Sequence, residues 1–469
     1  MERESNGGSS AGAIESHVSF HKPIILNNKV RFSWTSAPLS KLFRDGKDYV
    51  ELEYHQEVKL TYRIAYNQLC ALFFPILHSA IQGKVYVQFE EIIPMESIQN
   101  WLEIRNCTSV SIVSQMSQSK VIQEVIEENK QPGIALLYGG GKDSLGALSI
   151  YSNMFPDEKI NLLRIHWSRQ SVTRHRSIFN QKVVTPLQEK IDINYLECSS
   201  TLHQNLINRK TAHHIGINFH HACCLPYYSQ HHFRIVNYSY DSLEFFTKPS
   251  RGYLSLRPEK AKEMSRILHG LNIPTSIRNI SFGIPSFSHF DIIKKDKRNL
   301  TAHTYMCEDT RERWCHNCRK CFCFALLCLE SKIPSYESGI EYNRLFSMKG
   351  YFGNKVLDVL KLKNGDFSPV LAYSAQFSSF KHLLSNLEPK SLVQDEILTL
   401  EDGDKVEWLK NQYGQKFLIT RQIWAKAVKL EDPLGHSQTI DYLRKIGIEI
   451  FDGENVRLRN EIISEYQFN

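Results

Sequence analysis

The spacing of apolar positions changes character along the chain. Between Val30 and Leu60, VRFSW and YVELEY alternate apolar and polar side chains, the period of a strand with one buried face. Tyr62 to Gln82 reads as a helix and KVYVQF as another strand, so residues 17–120 are expected to form a small α+β domain. A polar stretch, SQMSQSK, and an expected helix from Val121 to Asn129 lead into a different pattern. IALLY (134–138) is continuously apolar, and INLLRIHW (160–167), INYLEC (193–198), FRIVNYS (233–239) and TSIRNIS (275–281) follow, with helix-compatible segments between them. Apolar strands separated by crossover lengths predict an α/β fold, a parallel sheet covered on both faces. Such sheets bind ligands at the carboxyl ends of their strands.

Residues 121–332 hold this second pattern, and 333–469 carry helix-like and β-like pieces, an α+β extension without a recognisable motif. Residues 1–16, with Gly7, Gly8, Ser9 and Ser10 in a row, are expected to be a disordered leader. No internal repeat, heptad run or low-complexity segment is present.

Composition narrows the class rather than the function. With 469 residues and 42% apolar content the chain can build two or three cored domains, which excludes whole-chain disorder. The net charge of +7 is spread too thinly to prove a nucleic-acid partner, so charge alone leaves the partner open; nucleic acid is possible but not favoured over a small molecule. The polar, acidic start lacks an export signal, and the apolar run Leu69–Ile81 is broken by Pro75 and His78 and falls short of the ~20 residues of a membrane helix. The expectation is a cytoplasmic protein with no membrane association. Eleven cysteines in a reducing compartment are then thiols or metal ligands.

Tyr138 closes the first strand of the second pattern and is followed by Gly139, Gly140, Gly141, Lys142, Asp143 and Ser144, with a helix expected from about Ser144. Glycines let the backbone turn with amides facing inward, and the helix start adds unpaired amides and partial positive charge. Such a loop suits phosphate. Lys142 can neutralise it, Ser144 can donate to it, and Asp143 can hold Mg2+ beside it. The spacing fits neither the Walker loop nor the GxGxxG fingerprint.

Glycines followed by x-Asp-Ser after a buried strand resemble the PP-loop of N-type ATP pyrophosphatases, usually Ser-Gly-Gly-x-Asp-Ser, with Gly139 standing where that family often has serine. The resemblance implies a HUP/PP-loop-like doubly wound sheet. It also implies cleavage of ATP between the α and β phosphates: a substrate oxygen attacks the α-phosphorus, pyrophosphate leaves into the glycine loop, and an adenylated substrate remains. Fold analogy would put adenine near the end of the second strand, around Arg164 to Ser168.

Cys307, Cys315, Cys318 and Cys321 give C-x7-C-x2-C-x2-C. Four soft ligands at this spacing match a tetrahedral Zn2+ site without an open position, hence a structural one. Arg311, Arg313, Arg319 and Lys320 are expected to offset thiolate charge, and Cys323 and Cys328 to fill a buried helix, FCFALLCLE. A PP-loop followed by such cysteines resembles 7-cyano-7-deazaguanine synthases. The combination GGGKDS (139–144), LSLRP (254–258) and RWCHNCRKC (313–321) more closely resembles the UDP-N-acetylmuramoyl-L-alanyl-L-glutamate epimerases, over roughly residues 130–335. That family usually has Ser-Asn-Glu after its fourth strand. Here Asn237, Tyr238, Ser239, Tyr240 and Asp241 stand there, so an acidic role passes to Asp241 or is lost. The family's usual cysteine-containing segment beyond residue 332 is also absent.

Arg257 is a candidate clamp for a substrate carboxylate or phosphate. Arg164, Arg169, Arg174 and Arg176 surround the second strand's end and are candidates to face ATP or a polyanion. Lys294, Lys295, Lys297 and Arg298 read as a solvated loop. The seven histidines between His203 and His232 include three adjacent pairs, which diverge on a helix and make poor shared metal ligands; one could serve as a general base, and the sequence does not single it out.

These features point to an AMP-forming enzyme that uses ATP, Mg2+ and Zn2+ and adenylates a carboxylate, with epimerisation of a peptide-linked glutamate as the step the resemblance suggests. The alternatives are an amide- or nitrile-forming enzyme, a tRNA-modifying enzyme, and a nucleotide-binding regulator without turnover.

Overall fold

Two compact units divide the chain, one formed by residues 1–128 with 198–230 and the other by 129–197 with 231–469. The computed structural model describes residues 14–114, 116–117, 133–167, 172–208, 211, 215–239, 258–307, 312–357, 381–414, 423–424 and 436–451. The expected helix Val121–Asn129, the leader up to residue 13, and Arg169, Asp241, Arg257 and Arg311 lie outside the described residues. Glu15 and Ser16 already belong to the first strand.

In the first unit the alternating stretches become strands with one buried face. The strands are β1 (Glu15–Phe20), β2 (Ile24–Leu26), β3 (Lys29–Thr35), β4 (Tyr49–Tyr54), β5 (Lys84–Phe89) and β7 (Val110–Ile112), while β6 (Ile93–Pro94) and β8 (Met116–Ser117) make a separate short pair. Val30, Phe32 and Trp34 of β3 and Val50, Leu52 and Tyr54 of β4 point inward. β5 pairs parallel with β1 and with β7, whereas β3 runs antiparallel to β1, β2 and β4. The helix Tyr62–Ala80 starts at Thr61, whose side chain accepts from the Ile64 amide, and is buried from Ile64 to Leu77. Segment 198–230 joins this unit through a strand pairing and a series of hydrogen bonds. Cys198–Ser200 pair antiparallel with β4. In the helix Ile217–His231, Gln68 Nε2 donates to the Ala222 carbonyl at 2.8 Å and Tyr54 OH to the Cys223 carbonyl at 2.9 Å.

In the second unit the apolar runs expected over 134–138, 160–167, 193–198, 233–239 and 275–281 appear as β9 (Ile134–Leu137), β10 (Ile160–His166), β11 (Ile193–Ser200, of which 193–197 belong here), β12 (Ile235–Tyr238) and β13 (Ser276–Arg278). The strand order is β13-β12-β9-β10-β11, and β9 pairs parallel with β10 and β12, as β12 does with β13. The molecule is thus mixed α/β, with parallel strands in both units. All of β9 is buried, which requires cover on both faces. The winding reverses at β9, and in open parallel sheets the crevice at such a reversal is where ligands sit. The chain leaving β9 there is Tyr138 and the glycine loop. It leads into the helix Lys142–Met154.

The described part of 333–469 completes this unit's core. Leu392, Leu409 and Leu443, on the helices Pro389–Gln394, Leu400–Tyr413 and His436–Lys445, join the buried cluster that contains Ile134 and Leu136. Asp296 ties these parts together. Its Oδ2 accepts from Ser149 Oγ (2.6 Å) on the Lys142–Met154 helix, its Oδ1 accepts from Arg298 Nε (2.8 Å), and Ser149 Oγ also meets Tyr442 OH (2.9 Å). The expected solvated loop holds only in part. Lys294 and Lys295 end the helix Ser286–Lys295 with exposed side chains, whereas Arg298 is engaged with buried Asp296. Asp296→Ala leaves Arg298 and Ser149 without their shared acceptor and is expected to destabilise the second unit by about 2–3 kcal/mol, read as a lower midpoint in thermal or urea unfolding.

Candidate functional site

Gly140 has φ +78°, the left-handed region that glycine tolerates, and a Cβ there would come within 2.8 Å of the Phe179 ring. Phe179 ends the helix Val172–Phe179 and underlies the loop: Arg164 lies 4.1 Å over its ring, and Tyr305 meets it edge-on at 5.3 Å. The loop's carbonyls are taken by the protein. Arg164 Nη1 donates to the carbonyls of Tyr138 (3.2 Å) and Gly139 (2.8 Å), and the Tyr305 amide donates to that of Gly140 at 2.6 Å. In a trans peptide the amide points opposite to the carbonyl. The amides of Gly139, Gly140 and Gly141 are therefore turned away from Arg164 and Tyr305. Among the described residues those of Gly140 and Gly141 donate to no acceptor.

Gly141 is the N-cap of the following helix, whose first bond runs from the Leu145 amide to the Gly141 carbonyl (3.0 Å). Lys142 is almost wholly buried, with 8% of its side chain exposed, and its Nζ lies 2.6 Å from Asp143 Oδ1. Ser144 Oγ donates to the Gly141 carbonyl at 3.0 Å. The arrangement offers free amides, a helix start, a lysine and a carboxylate within one turn, which is the equipment for binding an anion with an accompanying cation.

Two of the arginines expected to face a ligand are engaged within the protein. Arg164 supports the loop from behind, burial lowering its pKa, and Arg176 is bound to Glu197. Arg174 is exposed. Glu197, in β11, is 2% exposed; one carboxylate oxygen accepts from Arg176 Nε (2.6 Å) and the other from His166 Nε2 (3.0 Å) and Asn180 Nδ2 (3.2 Å). Burial alone would raise its pKa, but these donors outweigh it and hold the carboxyl at about 2. Of the β12 residues, Asn237 is internal, its Oδ1 accepting from the Ile280 amide (2.8 Å) and its Nδ2 donating to Ser239 Oγ (3.0 Å), and Tyr238 is buried.

The four cysteines expected to act together do converge. The Sγ atoms of Cys307, Cys315, Cys318 and Cys321 all lie within 4.8 Å of one another, and none is in a disulfide. Tetrahedral thiolates at ~2.3 Å from a metal would be ~3.8 Å apart; Cys315 and Cys321 stand at 3.8 Å and Cys318 and Cys321 at 3.4 Å. His316, with φ +55°, makes the turn between two ligands. Backbone amides point at the sulfurs: Cys315 N to Cys307 (3.3 Å), Asn317 N to Cys315 (3.4 Å) and Cys321 N to Cys318 (3.5 Å). Such bonds favour thiolates. Contact with Cys315 and Cys318 pushes the Cys307 thiol up, contact with the other three does the same to Cys321, and Cys307 holds Cys315 below its usual value. Crowding thus favours the protonated form at Cys307 and Cys321 until a cation replaces the proton. The site fits a metal ion. Arg313, expected to offset thiolate charge, donates instead to the Thr304 carbonyl (Nε 3.1 Å, Nη2 3.0 Å), and burial pulls its pKa down to about 10. Cys328 is buried in the helix Arg319–Glu330 and Cys323 is half-buried.

Among the described residues three or more potential metal ligands converge nowhere else, so the histidine-rich stretch builds no centre there. His221 is buried beside Tyr228 OH (3.1 Å), and burial lowers its pKa to about 3, which keeps it neutral. Phe179, Tyr305, His166 and Glu197 are the site residues that sequence reasoning missed. Only Glu197, a carboxylate in an apolar strand, carried a signal.

No protein-family model matches the chain, no curated protein is similar to it, and no solved structure resembles it. Among the described residues no helix is long and apolar enough to cross a membrane.

Glu197 gives a pH signature. Its folded pKa lies below the usual 4.5, so the stability it contributes is fully present above pH 4.5 and is lost as pH falls toward 2. Glu197→Gln is expected to lower stability by roughly 3 kcal/mol at pH 7 and by much less at pH 3, in urea unfolding at the two pH values.

Proposed function

We propose that the protein is an AMP-forming, ATP-dependent enzyme of the PP-loop type that adenylates a carboxylate. The observation that supports this reading is the glycine loop at the strand reversal, its carbonyls drawn inward and the amides of Gly140 and Gly141 turned the other way. A pyrophosphate group leaving ATP would accept from these amides and from the start of the Lys142–Met154 helix. The substrate carboxylate oxygen attacks the α-phosphorus, the bond from that phosphorus to the α–β bridging oxygen breaks, and the electron pair leaves with pyrophosphate. Lys142 and Asp143 divide the remaining work. Lys142 would neutralise phosphate charge, and Asp143 would hold Mg2+, which would shield the phosphates. Zn2+ at the four cysteines has no open position and serves the fold. A peptide-linked glutamate is the substrate to try first, given the resemblance in the loop and cysteine segments.

A second reading, nucleotide binding without turnover, is favoured by β12. Where the resembled epimerases have an acidic step, the described residues offer Asn237, Tyr238 and Ser239, with Asn237 engaged in the interior. Incubation with ATP, Mg2+ and candidate carboxylates is expected to yield AMP and pyrophosphate in equal amounts, with at least a ~100-fold loss in Asp143→Ala. ADP and phosphate as products would reject the mechanism, and tight ATP binding without product would favour the second reading.

A further inference from the structure

The thiol cluster and the glycine loop are far apart in sequence but are joined by a very short piece of chain. Tyr305 donates its amide to the Gly140 carbonyl at 2.6 Å, and a Cβ on Gly140 would lie 3.2 Å from the Tyr305 Cβ. Met306 Cγ comes within 3.8 Å of a Cβ placed on Gly141. The next residue is Cys307, the first of the four converging thiols. On the other side of Tyr305, the Thr304 carbonyl is held by the guanidinium of Arg313, two residues before Cys315. The strand of chain from Thr304 to Met306 is therefore anchored at both ends to the cysteine segment and presses on the loop in between. Two residues span at most ~7 Å, so fixing Cys307 leaves Tyr305 little freedom.

We infer that Tyr305 is a positioning residue through which metal loading of the four-cysteine cluster sets the shape of the glycine loop. The metal is thus more than a distant staple. Without it the four sulfurs keep only thiol contacts and amide hydrogen bonds, Cys307 is held far less firmly, and the Tyr305–Gly140 bond that turns the Gly141 amide outward loses support. Because coupling free energies are reciprocal, a ligand that prefers the shaped loop must in turn tighten metal binding. The anionic ligand rests on the function proposed above; the coupling between cluster and loop does not.

Hydrogen exchange read by mass spectrometry on the full chain tests this, loaded with one zinc per chain or stripped by chelator. The reporters are the amides of Tyr305 and Leu145, which donate to the Gly140 and Gly141 carbonyls, with β1 of the other unit as reference. Stripping is expected to speed exchange at both reporters at least ~10-fold and to leave β1 unchanged. Tyr305→Pro, which removes the donating amide, should retain zinc yet exchange at Leu145 as fast as stripped protein, whereas Tyr305→Phe should behave like wild type. Reporters indifferent to zinc in wild type overturn the inference, as does a fully loaded Tyr305→Pro with wild-type exchange at Leu145. If Tyr305→Pro does not fold, the wild-type comparison decides. Magnesium pyrophosphate is then added. It is expected to shift the equilibrium partition of zinc from chelator toward protein in wild type and not in Tyr305→Pro. Zinc-dependent reporters with no response to pyrophosphate would sustain the coupling and retire the ATP reading.

Discussion

Everything proposed for this molecule depends on three consecutive peptide groups facing the right way. A glycine loop is free to present either carbonyls or amides, and only the second arrangement receives an anion. Here the choice is made from inside the protein: Arg164 takes the Tyr138 and Gly139 carbonyls and the Tyr305 amide takes that of Gly140. Planarity of the peptide does the rest. The rigid Phe179 ring under Gly140 excludes a side chain there, so the loop's freedom in the unfolded chain is converted into one conformation in the folded one.

The charged groups around this loop follow one logic. Burying an ion without a partner is prohibitive, and each buried ion here is answered. Lys142 meets Asp143, Glu197 meets Arg176 and His166, Asp296 meets Arg298, and Arg313 meets the Thr304 carbonyl. Three of these four pair opposite charges. Arg313 and Arg164 have only carbonyl dipoles in the bonds described, and burial lowers the pKa of both. The Lys142–Asp143 pair differs from the others in standing at the helix start, where an incoming anion and its cation can each take one member.

What the sequence shows and what it hides divide along contact range. The strands of the second unit are continuous apolar runs, and the glycines and cysteines mark their own turns, so elements, loop and thiol cluster were legible as local patterns. The supports of the loop were not. Arg164 looked like a ligand-facing arginine because charge at a strand's carboxyl end suggests it, yet its guanidinium lies over Phe179 and points back at the loop. Nothing in the residues around Tyr305 announces that its backbone amide holds Gly140. The division into units was equally hidden: a boundary drawn along the chain near residue 120 has no place for 198–230, which joins the first unit through Gln68 and Tyr54. Main-chain donors and side chains that fill another element's needs leave no trace in local spacing.

Calorimetric titration of the zinc-loaded protein with magnesium pyrophosphate tests the preset loop most directly. One site per chain is expected, with binding weakened at least ~10-fold by Gly140→Ala, because the added methyl group must displace Phe179 and abandon the left-handed backbone. Absence of binding to the wild type, or equal affinity in the two proteins, would contradict the claim that this turn is shaped for a departing diphosphate.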